Sequence, residues 1–114
     1  MFDVSKENEG THVRIILQGD LTSATAPQLE SALAGYLAGG GPPDWLLDLG
    51  QLGFSSSAGL RVFLAYAKKI KNAKGRLVLC NLQPNVREVF DVSGFTQIFT
   101  IESGADEARR HFAA

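Results

Sequence analysis

A chain of 114 residues, 45% hydrophobic and 20% charged, is long enough to bury one core and too short to divide convincingly into two, so one domain over 1–114 is expected. A formal net charge of -1 gives no footing for nucleic acid or another polyanion. One cysteine, Cys80, excludes an internal disulfide and a cysteine-built zinc cluster, which fits a reduced, cytoplasmic setting.

The first residues, Met1-Phe2-Asp3-Val4-Ser5-Lys6-Glu7, do not read as a basic and then apolar leader, and no apolar run approaches the roughly 18 residues of a membrane span. Neither export by a signal nor membrane insertion is expected. Phe2 and Val4 alternate with polar neighbours, Glu9-Gly10 makes a turn, and Val13, Ile15 and Leu17 alternate with Arg14 and Gln18. This pattern predicts a two-stranded hairpin whose first strand is a sheet edge. Thr25 then stands as the cap of a helix with Pro27 in its first turn and Gln28 three residues after the cap, and Ala26, Leu29, Leu33, Tyr36 and Leu37 share one face. Gly39-Gly40-Gly41-Pro42-Pro43 ends it.

Trp45-Leu46-Leu47-Asp48-Leu49 is apolar almost throughout, as a strand covered on both faces would be. The next helix is expected from about Ser57 to Asn72, burying Leu60, Phe63, Leu64, Ala67 and Ile70, with Lys68, Lys69, Lys71 and Lys74 solvated near its C-terminal end and Gly75 stopping it. Arg76 to Cys80 is a second continuous apolar strand. Pro84 opens a shorter helix with Val86, Val89 and Phe90 inward, closed near Gly94, and Ile98 to Ile101 reads as the last strand. Ser103-Gly104-Ala105-Asp106 offers a cap for a terminal helix with Ala105, Ala108 and Phe112 on one side. Strands alternating with helices in this order imply a mostly parallel sheet.

Catalytic constellations do not assemble from these residues. Gly39 to Pro43 lacks the lysine and following helix of a phosphate-cradling loop. Gly53-Phe54-Ser55-Ser56-Ser57 half-resembles a nucleophile elbow, but its fifth position is Ser57 rather than glycine. His12, His111 and Cys80 have no metal-ligand spacing, and neither histidine belongs to a segment expected to meet a serine. No enzyme activity, cofactor or metal is expected.

The stretch from Phe54 to Arg61, FSSSAGLR, is unusual for a helix start. One serine suffices as a cap, worth about 1 kcal/mol. Gly59 in the first turn costs about 1 kcal/mol relative to alanine, a sign that something approaches the backbone closely there. A phosphoryl group on a serine here would meet the free amides and positive dipole end of the helix, so the fold would tolerate it. Its added charge, about -1.5 to -2 at pH 7, would instead act on a partner docked at this corner. Capping alone remains the other reading of the same hydroxyls.

Gly19-Asp20-Leu21-Thr22, Ala24-Thr25-Ala26-Pro27, Leu46-Leu47-Asp48-Leu49, Phe54-Ser55-Ser56-Ser57-Ala58-Gly59-Leu60-Arg61, Arg76-Leu77-Val78-Leu79-Cys80, Val86-Arg87-Glu88-Val89-Phe90 and Ser93-Gly94-Phe95 follow one another in an order and spacing that resembles the STAS domain. That family is named for sulfate transporters and anti-sigma factor antagonists, and in size the chain resembles the single-domain bacterial antagonists. The resemblance spans nearly the whole chain and implies an α/β STAS fold, a mostly parallel or mixed sheet of about five strands with about four helices. In such antagonists the serine that begins the helix is phosphorylated by an anti-sigma factor that is also a kinase, and a phosphatase reverses the modification. The unphosphorylated form binds the anti-sigma factor and releases the sigma factor.

Carried onto this chain, the resemblance implies a phosphoacceptor at Ser57, directly before Ala58-Gly59-Leu60, and a docking surface of Leu21, Thr22, Ser23, Phe54, Ser55, Ser56, Gly59, Leu60 and Arg61. The implied partners are an anti-sigma factor serine kinase and a serine phosphatase acting on phospho-Ser57. Ser56 stands where many family members have aspartate, and Thr22 replaces an acidic residue common after the second strand. Carboxylates there would orient the acceptor hydroxyl or pair with basic groups of the kinase. STAS-like subunits also serve lipid transport of the ABC type, so an unphosphorylated accessory subunit of such a complex is the alternative.

Overall fold

The structure, a computed structural model, describes residues 2–112. Asp3–Asn8 (β1) and Val13–Leu21 (β2) form the expected antiparallel hairpin, with Val4 opposite Leu17. Asn8 Oδ1 accepts the Gly10 amide at 3.0 Å, and Gly10 sits at φ +92°, where glycine alone is unstrained. β2 pairs in parallel with Trp45–Ser55 (β3), β3 with Leu77–Cys80 (β4), and β4 with Thr100–Glu102 (β5). The strand order β1-β2-β3-β4-β5 leaves β1 and β5 as edges. β3 continues past its apolar start because β2 offers it backbone partners as far as Leu21 opposite Ser55.

Ala26–Ala38 (α1), Ser57–Asn72 (α2), Pro84–Val92 (α3) and Ala105–Arg109 (α4) are the helices, with single 3-10 turns at Phe95–Gln97 and Arg110–Phe112. Side chains alternate across each strand, so the apolar runs feed two cores. Leu47, Leu49 and Leu79 join Leu29 and Leu33 of α1, Phe63 and Ile70 of α2, and Phe90 of α3 on one face. Leu46, Val78 and Cys80 face the other way, against Ala108 and Phe112. Burial pushes the Cys80 thiol up to about 12, so at neutral pH it is an inert apolar filler. Among the described residues no helix is long and apolar enough to cross a membrane.

Several local expectations change. Thr25 precedes α1 but does not cap it: its hydroxyl donates to the Asp20 carbonyl at 2.9 Å and accepts the Thr22 amide at 2.8 Å, closing the turn before the helix. Gln28 reaches the Phe2 carbonyl at 3.0 Å instead of completing a capping box. On α2 the buried stripe is Gly59, Leu60, Phe63, Tyr66 and Ile70, while Leu64 and Ala67 are half-buried. Tyr66 is tolerated inside because its hydroxyl escapes to Glu30 Oε1 at 3.1 Å. The left-handed residue ending α2 is Lys74, at φ +65°, and Gly75 is small for packing: a Cβ there would lie 2.6 Å from the Pro43 carbonyl carbon. β5 begins at Thr100 rather than Ile98, since the 3-10 turn carries Phe99 into the core and leaves Ile98 exposed.

Candidate functional site

β3 ends at Ser55 and α2 begins at Ser57, so the three serines occupy three different environments. Ser55 is 2% exposed and its Oγ donates to the Ser56 carbonyl at 3.3 Å. Ser56, extended at φ -89° and ψ 172°, is the cap, its Oγ accepting the Gly59 amide at 3.4 Å. Ser57 is the first residue of the helix, exposed, and its hydroxyl makes no hydrogen bond among the described residues. Aspartate and serine cap a helix about equally well, so serine at position 56 keeps the cap that an aspartate would make.

The junction is locked to the turn after β2. The Ser56 amide donates to the Leu21 carbonyl at 2.8 Å, and Leu21 pairs with Ser55 in the ladder. Thr22 Oγ1 accepts the Ala24 amide at 3.1 Å and the Thr25 amide at 3.3 Å, a hydroxyl-closed turn that presents Ser23 to solvent. Thr22 at this position therefore builds the turn, where the resemblance would have placed an acid.

Gly59 answers to a neighbour inside the molecule. A Cβ on Gly59 would lie 2.6 Å from Leu21 Cγ and 3.0 Å from Ser55 Oγ, and Leu21 is fully buried. Its glycine lets β2 and α2 close on each other. The expected docking surface accordingly divides. Leu21, Ser55, Gly59 and Leu60 are buried and cannot present side chains to a partner in this conformation, because the first two seal the β2–β3 end and the last two pack α2 on the sheet. Ser23, Phe54, Ser57 and Arg61 are exposed, Thr22 and Ser56 half-buried. Phe54, at 45% exposure, is a large apolar side chain left at the rim.

Sequence reasoning missed a shallow groove between α1 and α2, lined by Ser23, Ala26, Pro27 and, farther along, Glu30 on one side and Ala58, Arg61, Val62 and Ala65 on the other. The spacing 58, 61, 62, 65 marks one helical face, but only the placement of α1 shows that this face is a groove. The electrostatics favour an anion at its head. The first turn of α2 holds no acidic residue, its leading amides point outward with the positive dipole end, and Arg61 stands one turn after Ser57.

The STAS domain family model matches residues 4–108. BtrV, the inferred anti-sigma factor antagonist of Bordetella bronchiseptica, is 48% identical over 96 residues, covering 84% of this chain and 82% of BtrV. The crystal structure of an anti-sigma factor antagonist from Mycobacterium paratuberculosis has the same fold, with TM-score 0.88 at 23% identity over 98% of this chain and 94% of that one. The Bacillus cell fate determinant SpoIIAA in its phosphorylated form superposes with TM-score 0.71 at 22% identity, over 99% of this chain and 100% of that one. With its sheet order, its serine junction and nearly its whole length accounted for, the chain belongs to the STAS domain family.

Proposed function

We propose that this protein is an anti-sigma factor antagonist of a partner-switching pathway, acting in the cytoplasm on an anti-sigma factor that is also a serine kinase. The observation that carries the reading is the separation of the three serines: only Ser57 offers an exposed, uncommitted hydroxyl at a helix start. Similarity to BtrV supports the class of protein, and a fold neighbour in a phosphorylated form supports the modification.

In this reading the docking face is Thr22, Ser23, Phe54, Ser56, Ser57 and Arg61 together with the α1–α2 groove. The unphosphorylated face holds the kinase and releases the sigma factor. The Ser57 oxygen then takes the terminal phosphoryl group of ATP, its proton passing to a base of the kinase and ADP leaving; the chain supplies only the hydroxyl and is no enzyme itself. The phosphate sits on the amides of the first turn with Arg61 in reach at the i+4 position. The fold stays intact while about -1.5 to -2 charges appear in the middle of the docking face. A serine phosphatase restores the binding form.

Mass spectrometry of the protein incubated with its kinase and ATP should place one phosphate on Ser57 and none on Ser57→Ala. Ser57→Asp should bind the kinase more weakly than wild type yet unfold within about 1 kcal/mol of it. Phosphate on Ser56, or undiminished kinase binding by Ser57→Asp, would end this reading. Co-purification with a permease and its ATPase would move the protein to a transport complex.

A further inference from the structure

At the opposite end of α2 lies a cleft of about 350 Å³, walled by Leu64, Ala67, Leu77, Val78, Ile98 and Phe99. Its α2 wall runs from Leu64 to Lys71, about 10 to 21 Å along the helix from Ser57 at 1.5 Å per residue. Gly75, Thr100 and the basic residues Lys68, Lys71, Arg76 and His111 complete the lining, with no acidic residue among them. Lys68 and Lys71 are exposed and form no ion pair among the described residues. His111 is met by Glu102 at 2.6 Å, and the Arg76 guanidinium donates to the His111 carbonyl, so three uncompensated cations remain on the rim.

The apolar half of the cleft is as one-sided as the charged half. Val78 and Phe99 are buried behind it, Leu64 and Leu77 are half-buried along it, and Ile98 stands at its mouth 58% exposed. Ile98 thereby extends the concave apolar wall out to solvent, where an apolar ligand body could cover it. Concavity also separates this place from a flat protein-docking face, and its volume lies at the small end of ligand clefts.

We propose that this cleft binds a small amphipathic anion, its apolar body against Leu77, Phe99 and Ile98 and its head group held by Lys68 and Lys71. The lysines act as point charges and Arg76 is already committed to a carbonyl, so a single carboxylate or phosphate oxygen group suffices as the head. The site stands apart from the serine junction and does not depend on its reading.

The test uses octanoate as the probe, with octanol carrying the same body without charge and acetate the charge without the body. Backbone amide NMR should show saturable octanoate shifts gathered at Lys68, Leu77, Ile98 and Thr100, with octanol and acetate each about tenfold weaker. Lys68→Glu and Ile98→Ser change exposed side chains and should keep the wild-type melting temperature while each weakens octanoate about tenfold. The proposal is overturned by shifts that do not saturate, by shifts gathered elsewhere, by octanol matching octanoate, or by octanoate affinity unmoved in both variants.

Discussion

On one face of the sheet α1, α2 and α3 set down Leu29, Phe63, Tyr66 and Phe90, with Phe63 stacked on Phe90 at 6.0 Å between ring centres. On the other, α4 and the turn after it bring Ala108, Phe112 and the half-buried Ala105 to Leu46, Val78 and Cys80, and charged groups finish the closure. Arg109 donates to both oxygens of Glu9, at 3.1 and 3.3 Å, and Glu9 Oε1 also meets His12 Nε2 at 2.7 Å, while His12 stacks on Phe112. Beside them Asp48 accepts from Arg14 at 2.5 Å, from the Gly50 amide at 3.0 Å and from Asn81 at 3.1 Å. The face that carries α2, and with it the serine junction, is held by area and shape; the face under α4 is held partly by charge, which acid can remove. The helix that carries the serine junction is thereby mounted on the side less sensitive to solution conditions.

The contrast predicts its largest effect on the aromatic face. Phe63→Ala should cost about 3–5 kcal/mol in urea unfolding, the range for a buried phenylalanine in a closed core. Phe112→Ala, at a core of five buried residues, should cost less. Equal losses would show that α4 closes its face as tightly as the three larger helices close theirs.

Next comes the charged face. Asp48→Asn keeps the shape and removes the charge facing Arg14, with an expected loss of about 2 kcal/mol. Burial works against ionisation of Asp48, yet the Arg14 guanidinium, the Gly50 amide and Asn81 outweigh it and hold the carboxyl below its ordinary value. Glu9 is also held low, chiefly by Arg109 and then by His12, against the cost of burial. For carboxyls depressed in the folded state the contribution is complete above the unfolded value, about 4, and is lost as pH falls through the folded values. Urea midpoints should therefore decline from about pH 5 downward, and less steeply in Asp48→Asn. An unchanged slope would mean that other carboxyls dominate acid unfolding.

A close internal approach on the larger face gives a smaller effect whose sign is informative. Alanine at position 59 gains about 1 kcal/mol of helix propensity, but its methyl would enter the space of Leu21 Cγ, an overpacking worth about 1–3 kcal/mol. Gly59→Ala should be destabilising by about 1 kcal/mol. A stabilised variant would mean that β2 and α2 can part without cost.

These residues also mark how far the chain could be read before its fold was known. The alternation in Val13 to Leu17 and the apolar runs at Trp45 and Leu77 carry their own periodicity, so the hairpin, the covered strands and α2 from Ser57 to Asn72 were legible. A glycine in a first turn was legible as a close approach, but its partner Leu21 lies 38 positions earlier and enters only through the β2–β3 register. Asp48 looked like a polar interruption of an apolar strand for the same reason, since Arg14 and Asn81 reach it from other strand ends. Thr25 before Pro27 had every mark of a cap, and lost that role because Thr22 offered its hydroxyl a nearer donor. Tyr66 was passed over because a phenol is costly to bury until Glu30 of α1 is placed beside it.

Ser56 brings the smallest change and the one closest to function. Its bond to the Gly59 amide, at 3.4 Å, is long for a cap, so Ser56→Ala should cost only about 0.5–1 kcal/mol, near the low end for N-caps. Ser56→Asp introduces the residue the resemblance would place here and adds a negative charge beside the dipole, so it should equal or exceed wild-type stability, by about 0.3–1 kcal/mol at low salt. Stability and phosphorylation then separate the two roles a carboxylate could have here. If aspartate only caps, Ser56→Asp should leave the rate of the proposed Ser57 phosphorylation as it is; if it also orients the acceptor hydroxyl, the rate should rise while the urea midpoint barely moves. A fall in that rate would place the added charge against the kinase surface, and would count serine at position 56 as part of what the proposed docking face selects.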